Sequence, residues 1–254
     1  MRRVVWIGFD ERERDAFEVA TASLYARASC DIDVRVIDLC KLMTSGLYQR
    51  PTERRGGKLF DVISGAPMST EFAISRFFVP LLAGPEAEWA VFMDCDVLLR
   101  TDIAELFELA DPAKAIQVVK HNQRPTETVK MDGQVQTAYP RKNWSSVILW
   151  NLRHPAHQTL TPAKLNAWAG RALHGFHWLA DEFIGDLPAE WNHLVGVEPP
   201  NPGAKLVHFT LGTPSMDGYA DCEFASEWWE LYGPHPAPTA RPQDVEIIAC
   251  PTVH

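Results

Sequence analysis

Trp89-Ala90-Val91-Phe92-Met93-Asp94-Cys95-Asp96-Val97-Leu98-Leu99 is the stretch on which the reading of this chain turns. Five apolar residues in succession, with no polar break, suit a central strand covered on both faces of a sheet. The strand ends on two carboxylates. Residues two apart in an extended segment project to the same side, so Asp94 and Asp96 would present two negative charges to one point beyond a buried strand. Such a point invites a hard cation. Carboxylate oxygens suit Mg²⁺ or Mn²⁺, and these ions keep positions open for substrate phosphate oxygens. A diphosphate-bearing ligand is therefore the expected partner. Asp31-Ile32-Asp33 repeats the spacing, but it precedes its strand instead of ending one and reads as coincidence.

Upstream, Val4-Val5-Trp6-Ile7 reads as a buried strand, and Phe17, Ala20, Leu24 and Ala28 fall at helical spacing after it. A second unit starts at Val34-Arg35-Val36-Ile37. Pro51 and the pair Gly56-Gly57 mark a cation-rich loop over 50–58, and Ser69 or Thr70 offers the cap of a helix running through Phe72, Phe77 and Leu81. Downstream, a helix is expected from Asp102 through Leu109, a strand over 115–119, and a stretch without period over 122–142, the kind of loop on which function often sits. Ser146-Val147-Ile148-Leu149-Trp150 resumes as a strand. Thr161 and Pro162 read as N-cap and first turn of a helix through Leu165, Trp168 and Ala172, and Asp181 and Glu182 belong to a further short helix. A late strand over 205–209 and a late helix over 223–231 complete the pattern. Strands alternating with helices predict an α/β fold with a mainly parallel central sheet flanked by helices, in one domain over 1–232, followed by a Pro-rich tail over 233–254. Such sheets bind ligands beyond the carboxyl ends of their strands, where Asp94 and Asp96 fall.

Composition narrows the classes. With 24 Lys and Arg against 33 Asp and Glu, the net charge is -9, which argues against a nucleic-acid partner, since phosphate-backbone binding draws on clustered cations. Five cysteines, odd in number and without a CxxC pair, indicate neither a disulfide framework nor a zinc site and fit a reducing, cytoplasmic setting. The apolar run Val4 to Phe9 is too short for a signal peptide, and no run is long enough to span a bilayer. Any membrane contact is expected to be peripheral, at the inner face.

The order and spacing of these landmarks resemble family 8 glycosyltransferases, the glycogenin and galactosyltransferase-like enzymes of the GT-A fold. The resemblance covers most of Trp6 to Tyr219. It is carried by Arg76, then Trp89 to Leu99, then Asp102-Ile103-Ala104-Glu105-Leu106, then Val147 to Leu152. Farther on come Asp181-Glu182 with Leu187-Pro188-Ala189-Glu190-Trp191-Asn192, and a closing His208 with Gly212 and Pro214. The resemblance implies a nucleotide-diphosphate sugar donor, a UDP-sugar first of all, a Mn²⁺ or Mg²⁺ cofactor, a carbohydrate or glycoconjugate acceptor, and transfer with retention at the anomeric carbon. Asp94 and Asp96 would hold the metal, with Asp94 also near the donor, and His208 would be the third ligand; a lone His on an apolar strand is otherwise a structural residue. Arg76 would bind phosphate or sugar oxygens, or else form a surface ion pair. Phe9 and Asp10 would sit beside the nucleotide base, or else serve as turn and N-cap.

Two departures from the family pattern bear on mechanism. The lysine that closes over the diphosphate in the family is missing, the chain here reading Gly212-Thr213-Pro214-Ser215-Met216, so phosphate neutralisation is expected from the metal, from another cation, or from backbone N–H groups of this turn. Glu182 stands where the family has Gln, which puts a carboxylate where sugar chemistry is expected. Glu182 is accordingly the first catalytic candidate and Asp181 the next, against the alternative of an exposed helix charge. A metal-dependent nucleotidyltransferase would want a Gly-rich phosphate loop after the first strand, which Gly8-Phe9-Asp10-Glu11 is not; a sugar-nucleotide binder without turnover is the other rival.

Overall fold

The structure is a computed structural model and describes residues 3–122 and 141–233. β1 (Arg3–Gly8) is buried from Val4 onward, and a short 3-10 turn over Glu11–Glu13 leads into α1 (Arg14–Arg27). α1 turns Phe17, Ala20 and Leu24 onto the sheet, the apolar stripe expected of a covering helix. β2 (Ile32–Ile37) returns parallel to β1, with Arg3 opposite Ile32. Asp33 lies within β2 and pairs with Arg35 at 2.7 Å, so the second Asp-x-Asp is a strand residue with a local partner. α2 (Leu39–Thr44) is capped by Asp38, whose carboxylate accepts from the Lys41 N–H.

The expected cation-rich loop is instead a small antiparallel sheet of β3 (Thr52–Arg55), β4 (Lys58–Asp61) and β5 (Ala66–Pro67). Gly56 and Gly57 form its two-residue turn with φ of 56° and 79°, the left-handed pair that matches the twist of a hairpin. Arg50 anchors this sheet from within. Its Nε donates to Asp61 at 3.0 Å and its Nη1 to the carbonyls of Leu165 and Trp168. The helix expected through Phe72, Phe77 and Leu81 is broken into a 3-10 turn at Ser75–Phe78 and α3 (Val79–Leu82). Pro80 explains the break: it has no N–H to donate, and its ring excludes the carbonyl four residues back, so a helix must restart with it in the first turn.

β6 (Trp89–Met93) is buried throughout, as its composition required, and passes through Asp94-Cys95-Asp96 into β7 (Val97–Leu99). α4 (Ala104–Glu108) follows behind Asp102, which accepts from the Ala104 N–H. The chain continues through β8 (Ile116–Val118), β9 (Val147–Asn151), α5 (Pro162–Leu165) and α6 (Gly170–His174). Thr161 caps α5 and Pro162 opens it, as expected, but the helix stops after Leu165 and resumes at Gly170. β10 (Ile184–Asp186), β11 (His193–Leu194), β12 (Leu206–His208) and α7 (Ala225–Tyr232) complete the order.

The main sheet runs β10-β8-β9-β6-β1-β2, flanked by helices in a single α/β unit. Five of its strands share one direction, and β9 runs against both neighbours. The reversal follows from connectivity: the segment leaving β8 at the carboxyl edge re-enters at that same edge as β9. A second sheet, β11-β12-β7, packs on α1 and α7 through Val19, Leu98, Val207 and Trp228. Most of the loop expected over 122–142, and the tail after Gly233, lie outside the described residues. Among the described residues no helix is long and apolar enough to cross a membrane.

Candidate metal centre and its surroundings

β6 emerges between the carboxyl ends of β1 and the start of β9, and the backbone ladder runs one step past it, the Asp94 N–H donating to Ser146 at 2.9 Å. Cys95 is fully buried and donates to the Glu13 carboxylate at 3.1 Å, while Asp94 and Asp96, on either side of it, face the same point. His208 arrives from 112 residues away in sequence. The antiparallel register of β12 on β7 sets His208 opposite Val97, and the Phe209 N–H donates to the Asp96 carbonyl at 2.9 Å. One ligand atom from each of Asp94, Asp96 and His208 lies within 4.8 Å of the other two. His208 Nε2 stands 3.3 Å from Asp96 Oδ1.

This donor set fits a divalent cation. Two carboxylate oxygens and one imidazole nitrogen suit Mn²⁺ better than Ca²⁺, which prefers an all-oxygen shell. The electrostatics agree. Burial pushes the Asp94 carboxyl up to about 6, Arg76 opposes that rise, and Asp96 adds to it. Burial pulls His208 down, but the neighbouring Asp96 and Asp94 carboxylates outweigh it and raise the imidazole above its ordinary value. Burial first, and then the second carboxylate, make ionisation of Asp94 costly here.

Arg76 is a wall of the same site. It is 4% exposed, pairs with Asp94 at 2.7 Å, donates to the Ser145 carbonyl at 2.8 Å and lies between the rings of Phe72 and Phe92. The surface ion pair is thereby excluded. Phe9 and Asp10 do not turn outward toward a base. Phe9 is buried edge-on against Phe17 at 5.2 Å, and Asp10 is fully buried, N-capping the turn at Glu11 and bonding the Arg12 guanidinium and the Glu71 N–H. Gly212 also departs from expectation: its N–H donates to the Phe209 carbonyl instead of facing a phosphate. Its lack of a side chain makes room for the Tyr219 ring, which an added Cβ would meet at 2.6 Å.

Asp181 and Glu182 are corrected most strongly. Both are exposed, in a 3-10 turn at Asp181–Phe183 ahead of β10. Phe183 accepts from the Ala115 N–H and the Glu182 carbonyl accepts from Lys114, so the turn sits at the amino edge of the sheet, level with Trp89. Three strand spacings across and five residues along separate Glu182 from Asp94, roughly 20 Å between Cα atoms. Asp181 is spent on an ion pair with Arg141.

No protein-family model matches the chain. Protein CDI of Arabidopsis thaliana is 43% identical to it over 229 residues, covering 88% of this chain and 83% of that protein. The chain belongs to the Protein CDI family. Among solved structures, the bifunctional glycosyltransferase WbbM superposes with a TM-score of 0.63 at 15% identity, over 92% of this chain and 50% of WbbM. The glycosyltransferase GlyE of Streptococcus pneumoniae gives 0.57 at 17% identity, over 91% of this chain and 60% of GlyE. The galactosyltransferase LgtC, solved with donor and acceptor sugar analogues, gives 0.56 at 14% identity, over 90% of this chain and 95% of LgtC. The fold of this member of the family is therefore the GT-A glycosyltransferase fold, and the chain spans about half to three fifths of WbbM and GlyE.

Three residues escaped the sequence reading. Glu13 reaches the back of the Asp94-Cys95-Asp96 segment from the start of α1, and burial, then Asp96, push its carboxyl up to about 8. His174, at the end of α6, bonds Ser145 at 2.7 Å and lies edge-on to Phe77; burial, then Arg76, pull it down to about 3, so it is neutral. Asn192 is wholly buried behind His208. Its place in the stretch after Leu187-Pro188 was visible, but its partners come from 46 and 71 residues away, and no local pattern marks them.

Proposed function

We propose that this chain is a metal-dependent glycosyltransferase of the family 8 type, taking a hexosyl group from a nucleotide-diphosphate sugar, a UDP-sugar first of all, and passing it with retention to a carbohydrate or glycoconjugate acceptor. The observation that carries this reading is the convergence of Asp94, Asp96 and His208 at the carboxyl edge of the sheet in a GT-A fold. Mn²⁺ or Mg²⁺ bound there would grip the donor's diphosphate and absorb the charge that builds on the departing nucleotide. Asp94 and Asp96 supply anionic oxygens, His208 supplies a nitrogen, and Arg76 fixes Asp94 from behind. With Glu182 and Asp181 remote, stabilisation of the sugar's developing positive charge would fall to groups on the carboxyl edge, on the side of Asp94 and Asp96. The catalytic unit would span 1–232, with 233–254 as a tail, and the chain would act in the cytoplasm, at most peripherally on a membrane.

The test is hydrolysis of a panel of UDP- and GDP-sugars with Mn²⁺, Mg²⁺ or EDTA present. Metal-dependent release of nucleoside diphosphate supports the enzyme. Metal-dependent binding without any turnover would support a sugar-nucleotide binder instead, a reading favoured by the missing lysine at Gly212-Thr213-Pro214.

A further inference from the structure

His208 is held by a chain of buried polar groups whose hydrogen-bond directions can be worked out one by one. Ser146 Oγ donates to the Asn143 carbonyl at 2.8 Å, which spends its only proton. Toward Asn192, 2.9 Å away, that hydroxyl can therefore only accept, so the Asn192 amide nitrogen faces it. The same nitrogen stands 3.4 Å from the Asn143 carbonyl, a group that can never donate. It also stands 3.0 Å from His121 Nε2, whose ring is oriented by a 2.9 Å bond from Nδ1 to the Glu198 carboxylate. Glu198 is held in turn by the Leu194 N–H at 3.0 Å. A flipped amide would set oxygen against oxygen at both Asn143 and Ser146, so one orientation is imposed.

The consequence falls on His208. Asn192 Oδ1 is left facing His208 Nδ1 at 3.1 Å, and an amide oxygen can only accept. We infer that Asn192 is a positioning residue that locks His208 into the tautomer protonated at Nδ1, so that Nε2 turns its lone pair into the Asp94–Asp96 pair. This rests on the metal-site reading above but makes a claim that can be checked without metal. His208 Nε2 and Asp96 Oδ1 stand 3.3 Å apart, so whenever the ring is neutral two electron-rich atoms face each other, and a proton or a metal cation between them resolves the conflict. Metal-ligating imidazoles generally carry such a partner on the other nitrogen, and its loss weakens metal binding about 10- to 100-fold.

The experiment uses the full chain with ¹⁵N-labelled histidine. In the metal-free protein, followed upward in pH until the ring has lost its second proton, two-bond nitrogen–proton spectra should show the neutral His208 protonated at Nδ1. Asn192→Leu, which removes both polar ends, should mix the tautomers and weaken Mn²⁺ binding by calorimetry about 10- to 100-fold. Asn192→Asp keeps an acceptor for Nδ1 but sets a second oxygen against the Asn143 carbonyl and Ser146 Oγ, so where it folds it should retain the tautomer at a cost in stability. A neutral wild-type His208 protonated at Nε2 and not at Nδ1 overturns the inference, whether or not the variants fold. So does a folded Asn192→Leu with unchanged tautomer and affinity. Separately, a folded His208→Ala that binds Mn²⁺ as well as the parent rejects the metal site itself and leaves the tautomer result standing.

Discussion

Acidification should strip the metal from this site over a narrow range, and the structure sets its position. Binding requires Asp94 ionised and His208 neutral at Nε2, so protons and the cation compete for the same atoms. Asp94 titrates at about 6. At pH 7.5 it is nearly all ionised; at pH 5.0 only about a tenth is, so this carboxyl alone weakens affinity about tenfold between the two, about 1.4 kcal/mol. His208, raised above its ordinary value by its carboxylate neighbours, adds a second competing proton. The apparent Mn²⁺ dissociation constant should therefore rise at least tenfold from pH 7.5 to 5.0, with the slope steepening toward two protons per ion at the acid end. Calorimetry in buffers of different ionisation enthalpy counts the protons released. A dissociation constant constant to within twofold over this range, with no proton release, would falsify Asp94 and His208 as ligands.

Three further outcomes follow from the same geometry. Arg76→Met leaves Asp94 buried without its guanidinium and should lower urea stability by about 3 kcal/mol, the scale of a broken buried pair; a loss under 1 kcal/mol would mean that Asp94 relaxes toward solvent. Glu13→Gln concerns a carboxyl whose folded value, about 8, lies above its unfolded one, so its contribution is intact below pH 4.5 and is lost as pH rises toward 8; the metal-free variant should match the parent near pH 4.5 and melt progressively higher than it at pH 7 to 8, and a pH-independent difference would refute this. Glu182→Gln should leave donor turnover within about twofold, because the side chain is exposed and remote from the cluster; a tenfold loss would return Glu182 to the catalytic site.

What the sequence made legible was local. The apolar run Trp89 to Met93 could be little other than a buried strand, and the Asp-x-Asp after it needs only the two-residue period of an extended chain to converge. His208 was reachable only by resemblance, since its approach depends on an antiparallel register between β7 and β12 that no spacing encodes. The same limit produced the error at Glu182. A carboxylate pair followed by Leu-Pro and Trp-Asn matched in order, yet order does not say at which edge of a sheet a turn lies, and a strand of only three residues, β10, carries the chain from the amino edge up to Leu187. Two helices were misread for a related reason: each was drawn as one continuous element, across Pro80 in one and across Gly170 in the other, where the chain stops and restarts.

The residues whose roles the sequence did not show share one property, which also explains why the site holds together. Glu13, His174 and Asn192 each meet the cluster through a group that is itself buried and polar: the Cys95 thiol, the Ser145 hydroxyl and the His208 imidazole. Buried polar atoms must find partners, so once the sheet places Asp94, Asp96 and His208 together, every neighbour behind them is chosen for its ability to donate or accept in one direction. Ser146 illustrates the dependence. It is adjacent to β9, its carbonyl receives the Asp94 N–H, and its hydroxyl fixes the Asn192 amide that orients His208. A single residue thus couples the backbone position of one proposed ligand to the tautomer of another, and substituting it should disturb both, although it touches neither the cation nor the donor.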